Sequence, residues 1–298
     1  MPLQTIENQR STIIQSLLGQ KLVAWKPIHK GNTPAHCGIA ALENGETAFV
    51  KIATNAPTAA WLHTEHHLYT HLPPGVPRPT LLGWCAQPMP ALALTDLSAA
   101  HWPPPWSEAR IHAVLHTLKT LSTTPVHGLP PISAALATGW HTVASDPGSF
   151  LRLGLVTPSW LTAHISALQC AAQLAEIQGT HTLHLDVRSD NLCIVDGTAC
   201  LVDWNHACQG AAPVDAAFWA PSLRAEGGPP PEDLLGHAPG LAAVVSGFYA
   251  HRAGLSDIPH APSVRPLQQT LLHAALPWVI RALQLPPADG PMAGRLIP

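Results

Sequence analysis

One stretch constrains this chain more than any other: Leu183-His-Leu-Asp-Val-Arg-Ser-Asp-Asn-Leu-Cys-Ile-Val195, followed by Ala199-Cys-Leu-Val-Asp-Trp204. Two short apolar runs, Leu192–Val195 and Cys200–Val202, flank an Asp196-Gly197 dipeptide. Asp-Gly tolerates the positive φ angles of a two-residue hairpin turn, so the runs are expected to pair as antiparallel strands. Pairing brings their far ends together, and those ends carry Asn191 and Asp203. A carboxylate and an amide carbonyl are hard oxygen donors of the kind that Mg²⁺ takes. Asp186, five residues before Asn191, adds a carboxylate able to accept a proton from a hydroxyl. Taken singly, each residue is an ordinary polar position of a hairpin; it is the combined spacing that points to chemistry.

His184-Leu-Asp186…Asn191 with Val202-Asp203-Trp204 resembles the catalytic and metal-binding segments of the aminoglycoside phosphotransferase/choline kinase-like family, bacterial small-molecule kinases of protein-kinase-like fold. Asn205 stands where protein kinases carry a Gly, and Arg188, Asp190 and Asn191 fit the form of many bacterial members. The resemblance implies an α+β, bilobal protein-kinase-like fold. Residues 1–97 would form a small β-rich nucleotide-binding lobe with its hinge at about 92–97, and residues 98–298 a larger, mostly helical lobe with the catalytic loop and substrate site. It implies ATP and Mg²⁺ as cofactors, Asp186 as the catalytic residue, and Asn191 and Asp203 as metal ligands. His184, Arg188, Asp190 and Asp215 become supporting residues: His184 and Asp215 brace the catalytic loop, and Asp190 either contacts substrate or braces Arg188.

The first third of the chain supplies further parts. Ala48-Phe-Val-Lys51-Ile-Ala53 places a Lys inside an apolar strand, where an ammonium is costly unless paired or bound to an anion. On the helix expected over 59–72, Trp61, Leu62, Glu65, Leu68, Tyr69 and Leu72 recur at helical spacing, which puts Glu65 on the apolar face. Lys51 and Glu65 are the natural pair, and the resemblance assigns Lys51 to the ATP α/β-phosphates. Gly31-Asn32-Thr33 is a candidate phosphate-covering loop or a plain turn; it lacks the protein-kinase glycine pattern. Leu92-Ala-Leu-Thr-Asp-Leu97 resembles the hinge, with Leu94 behind the adenine and the main chain of Thr95 and Leu97 at its edge.

Periodicity predicts strands at 22–25, 39–42, 48–52, 81–84, 92–94, 183–185, 192–195 and 200–202. It predicts helices over 107–121, 159–178, 211–223, 241–252 and 267–283, and a Pro/Gly-rich loop at 227–231. Hydrophobic residues make up 46% and charged residues 11%, which excludes a disordered polyelectrolyte. The formal charge of −3 gives no basic footprint for nucleic acid or an anionic membrane. No signal peptide or membrane-spanning run is visible, and the six cysteines form no CxxC pair, so a cytoplasmic protein with reduced thiols is expected. His63, His67 and His71 recur every four residues and read as a solvated helix face or, less simply, a metal face. Glu226, Glu232 and Asp233 around the Pro/Gly-rich loop read as loop acids or as a cation site.

The expected activity is transfer of the ATP γ-phosphoryl to a hydroxyl of a small molecule: an antibiotic (with antibiotic resistance as the consequence), a sugar or an amino alcohol. The alternatives are a Ser/Thr kinase acting on a peptide in natural-product maturation, with a partner protein or peptide, and a nucleotide-binding pseudokinase. Intact Lys51, Glu65, Asp186, Asn191 and Asp203 weigh against the last.

Overall fold

A computed structural model describes residues 3–28, 34–86, 89–259 and 261–298. In chain order its elements are α1 Leu3–Leu18, β1 Leu22–Ile28, β2 His36–Leu42, β3 Thr47–Ile52, α2 Ala56–His71, β4 Leu81–Cys85, β5 Ala91–Thr95, α3 Glu108–Thr123, α4 Gly139–Ser145, α5 Gly148–Leu151, α6 Pro158–Gln173, β6 His181–Leu183, β7 Leu192–Val195, β8 Thr198–Leu201, β9 Cys208–Gly210, α7 Val214–Ala225, α8 Pro231–Leu235, α9 Pro239–Ala253 and α10 Val264–Ala282. The chain is an α+β protein that divides into two compact units, residues 1–102 with 190–205, and residues 103–189 with 206–298.

The first unit is built on an antiparallel sheet of order β1-β2-β3-β5-β4. Alternation sorts the faces of β3: Ala48, Val50 and Ile52 are buried with Ile14 and Leu17 of α1, and Lys51 lies on the other face. The Glu43–Glu46 connection turns at Gly45, whose φ of +84° is the left-handed conformation that glycine adopts without strain. α2 starts on a reciprocal cap: the Asn55 side chain accepts from the Thr58 N–H at 3.0 Å, and the Thr58 hydroxyl accepts from the Asn55 N–H at 3.0 Å. Such a cap stabilises a helix start by about 1 kcal/mol, and here it sets the position of the Glu65 helix. The β7–β8 hairpin belongs to this unit, with Asp196 and Gly197 both at positive φ (+48° and +79°), as its two-residue turn requires.

The second unit is helical around a core that includes Trp140, Phe150, Leu168, Val245 and Trp278. Its short sheet, β6 with β9, leads into the loop at 184–189 that carries Asp186. No helix among the described residues is long and apolar enough to cross a membrane.

Several sequence expectations are revised. α1 carries too many polar and β-branched residues for its periodicity to stand out; Ile14 and Leu17 become a buried stripe only against the sheet. α6 ends at Gln173, five residues before the expected 178, and β9 replaces what read as connection. The strand expected over 183–185 lies at 181–183, because Leu185 adopts φ +60°. Trp61 is 43% exposed, so it falls off the apolar face of α2 that Leu62, Glu65, Leu68 and Tyr69 share. Pro231 begins α8 instead of closing the Pro/Gly-rich loop.

Candidate active site

In the first unit, Lys51 and Glu65 meet as their spacing suggests. The Lys51 Nζ donates to both carboxylate oxygens of Glu65, each at 2.9 Å. Glu65 is fully buried, and the Lys51 side chain is 15% exposed. The same ammonium stands 3.6 Å from Oδ1 of Asp203. Burial alone would lower the affinity of Lys51 for its proton, but the Asp203 and Glu65 carboxylates outweigh it, so the ammonium is held charged. Cys37, opposite Lys51 in the ladder, has its thiol pushed up to about 11 by burial.

The β7–β8 hairpin supplies Asp203 and Asn191. The Val202 N–H donates to the Asn191 carbonyl at 2.9 Å and ties the two ends of the hairpin together. Asn191 is buried, and the Asp203 side chain, at φ +64°, is 35% exposed. Asn205 donates from Nδ2 to Asp203 Oδ1 at 2.8 Å, while its own Oδ1 is buried without a hydrogen-bond donor. An undonated amide oxygen beside a carboxylate offers hard oxygens that fit Mg²⁺, and Asn191 sits at the adjoining end of the hairpin. Magnesium characteristically takes one or two protein ligands and completes its octahedron with phosphate and water. Among the described residues no group of three or more His, Cys, Asp or Glu could hold a metal. His63 and His66 of α2 pack on Trp84, at centroid distances of 5.1 and 4.3 Å.

Leu94 is buried in β5, opposite Phe49 and Leu81. The Thr95 N–H donates to the Thr80 carbonyl at 3.0 Å, and the Leu97 carbonyl accepts from the Ala100 N–H and from Trp102 Nε1, each at 3.0 Å. Those two main-chain groups are engaged within the chain, which narrows what Thr95 and Leu97 present to a base edge. Gly31, Asn32 and Thr33 lie outside the described residues.

In the second unit, Asp215 anchors the loop that carries Asp186. Its carboxylate accepts the His184 N–H at 2.8 Å and the Leu185 N–H at 2.7 Å, which holds Leu185 in its positive-φ turn. The Asp186 N–H donates to His184 Nδ1 at 3.3 Å, so the buried His184 carries a proton on Nε2 and braces the loop. Arg188 pairs with the Asp186 carboxylate. Ser189 and Trp106 Nε1 both donate to Glu226, the latter at 2.7 Å. Sequence reasoning missed this network because its members lie 37 and 120 residues apart, with no spacing to reveal them. Glu232 pairs with Arg281 at 2.8 and 3.1 Å, and Asp233 lines a cavity of about 390 Å³ with Glu108 and His112. Asp190 and Asn191 follow Ser189 directly in the chain.

Burial pushes the Asp215 carboxyl up to about 6, against the lowering effect of the His184 and Leu185 N–H bonds and with a further rise from the nearby Asp186 charge. The folded chain therefore holds this proton more tightly than the unfolded chain. Its stabilising effect is complete below the ordinary carboxylate range and is lost as pH rises through about 6. In denaturant titrations, the stability of the wild type relative to Asp215→Asn is expected to fall by on the order of 3 kcal/mol between about pH 4 and about pH 7. Parallel pH profiles for the two proteins would show that Asp215 titrates like an exposed carboxylate.

No family model matches the chain, and no curated protein matches it. Solved structures do. A thermostable mutant of aminoglycoside phosphotransferase APH(4)-Ia, in ternary complex with AMP-PNP and hygromycin B, aligns over 93% of this chain and 98% of its own at 12% identity and a TM-score of 0.60. An aminoglycoside phosphotransferase from Alicyclobacillus acidocaldarius aligns over 91% and 95% at 11% identity, with a TM-score of 0.56. A macrolide 2'-phosphotransferase from Brachybacterium faecium aligns over 93% of each chain at 14% identity, with a TM-score of 0.53. At such identities the likeness is one of fold, and the fold of this chain is that of the aminoglycoside phosphotransferases.

Proposed function

We propose that this protein is an ATP-dependent phosphotransferase that moves the γ-phosphoryl group to a hydroxyl of a small molecule, such as an antibiotic, a sugar or an amino alcohol. The observation that carries the reading is the convergence on one ammonium: Lys51 on both oxygens of buried Glu65 at 2.9 Å, with Asp203 at 3.6 Å. A structural ion pair needs one carboxylate. A second, more exposed one beside the same Lys, next to undonated amide oxygen, suits a place where phosphates and their cation bind. AMP-PNP with hygromycin B in one solved neighbour supports this reading, and GDP with kanamycin in another supports a nucleotide beside a small-molecule acceptor.

In this mechanism Lys51, oriented by Glu65, neutralises the α/β-phosphates. Asn191 and Asp203 hold Mg²⁺, which when bound supplies charge neutralisation on the phosphates. Asp186 orients the acceptor hydroxyl and takes its proton. Arg188, paired with Asp186, holds that carboxylate in place. The His184–Asp215 brace fixes the loop in advance, so the groups need little reorganisation during transfer.

Calorimetric titration of ATP with Mg²⁺ and with EDTA tests the reading. Wild type is expected to bind more tightly with Mg²⁺, and Asp203→Ala is expected to abolish that gain. Equal affinity with and without the metal in the wild type would overturn the assignment. Nucleotide binding without phosphorylated product across antibiotics, sugars and peptides would favour a pseudokinase.

A further inference from the structure

Cys193 and Cys200 have no part in the chemistry above, yet the fold sets them face to face. They are direct partners across the β7–β8 ladder. Directly opposed Cα atoms in an antiparallel pair stand about 4.5 or 5.5 Å apart, according to which type of pair they form. A disulfide spans Cα separations of roughly 4.4–6.8 Å, so both spacings fall within its Cα range, and a small closing movement of the strands brings the Cβ atoms to bonding distance. The two side chains project from the same face of the hairpin. Among the described residues no other cysteine stands opposite a cysteine: Cys37 faces Lys51, Cys85 faces Ala91 and Cys208 faces Leu183, while Cys170 lies on α6.

Access is one-sided. Cys193 is fully buried, but Cys200 lines a cavity of about 250 Å³ within the first unit, together with Pro77, Arg78, Thr95 and Thr198. A water molecule occupies about 30 Å³ of liquid, so the cavity admits a peroxide molecule with room to spare. The neighbouring Cys193 thiol and burial push the Cys200 thiol up, and the guanidinium of Arg78 in the same cavity offsets part of that rise.

We infer that Cys193 and Cys200 form a reversible disulfide, generated by hydrogen peroxide entering this cavity, that staples the hairpin bearing Asn191 and Asp203. The thiolate of Cys200 attacks one peroxide oxygen. An S–O bond forms, the O–O bond breaks, and the departing hydroxide leaves as water with the proton that Cys200 gave up. The thiolate of Cys193 then attacks the sulfenic sulfur. The S–S bond forms, the S–O bond breaks, and the second hydroxide leaves as water with the Cys193 proton. Two thiols are oxidised by two electrons, and peroxide is reduced to two waters. A small dithiol reverses the reaction by exchange.

The functional consequence rests on the reading of Asn191 and Asp203 as metal ligands. Asn191 precedes Cys193 by two residues and Asp203 follows Cys200 by three, so a staple between the strands constrains both. Oxidation is expected to lower the Mg²⁺-dependent part of ATP affinity several-fold.

The test uses the full chain, oxidised with hydrogen peroxide and alkylated after denaturation. Cleavage on the N-terminal side of Asp releases residues 190–195 and 196–202 as separate peptides unless they are bonded. A linked pair that dithiothreitol separates is the expected result. Both peptides recovered alkylated, or either one linked to Cys170 or Cys208, would overturn the inference. Cys193→Ser is expected to leave Cys200 as a sulfenic acid that dimedone labels. Labelling of Cys193 in Cys200→Ser would overturn the order of attack. A disulfide that forms while ATP affinity stays unchanged would overturn the coupling alone. A reduced wild type that binds no ATP would count against the proposed function and leave the disulfide result standing.

Discussion

Asp186→Asn is expected to lower turnover by roughly 10²–10⁴-fold while ATP affinity stays within a few-fold of wild type. The substitution preserves the shape of the side chain and an oxygen for Arg188, which now pairs with the carboxylate. It removes the negative charge and the basicity. The loop itself does not depend on that charge, because Asp215 holds it through the His184 and Leu185 N–H groups and His184 accepts the Asp186 N–H. The groups assigned to the nucleotide, Lys51 with Glu65 and Asp203, form their contacts without Asp186. Turnover and ATP affinity measured on both proteins with the same acceptor separate these effects. Unchanged turnover would remove Asp186 from the chemistry, and a parallel collapse of ATP affinity would place it among the phosphate-binding groups instead.

The second large effect is on stability. Lys51→Met removes the ammonium that donates to both oxygens of the Glu65 carboxylate buried in α2. Breaking one side of a buried pair leaves an uncompensated charge, which typically destabilises by about 3–5 kcal/mol. Glu65 would respond by taking up a proton, in the direction in which burial already pushes it. Two features distinguish this from a packing defect. Glu65→Gln in the Lys51→Met background is expected to recover much of the loss, since a neutral amide needs no counter-charge. The Lys51→Met defect is also expected to shrink at acidic pH, where Glu65 is protonated. Denaturant midpoints for the single and double variants over pH 5–8 read both. Additive losses at every pH would mean that the pair does not act as a unit.

The hairpin and the pair were legible because each is local or rests on a single violation of pattern. Asp196-Gly197 between two apolar runs leaves the chain few options, and the structure has the turn with both residues at positive φ. Lys51 among Ala48, Val50 and Ile52, and Glu65 among Leu62, Leu68 and Tyr69, are charges in places that only a partner explains. The anchoring of the loop at 184–186 by Asp215 reads less directly, since it joins residues 30 and 31 positions apart, and only the resemblance suggested it.

What the chain determined by itself is the set of groups that must be paired, capped or turned, because a buried charge, a helix start and a two-residue hairpin are each decided by a few neighbouring side chains. What only the tertiary structure decided is the company those groups keep. Glu226 receives Trp106 and Ser189, Cys200 faces Cys193 above a cavity, and α1 becomes amphipathic only when Ile14 and Leu17 meet the sheet. These contacts join residues with no common period or spacing. Their free energy exists only once the chain has closed the intervening loops, so nothing in the local sequence announces them.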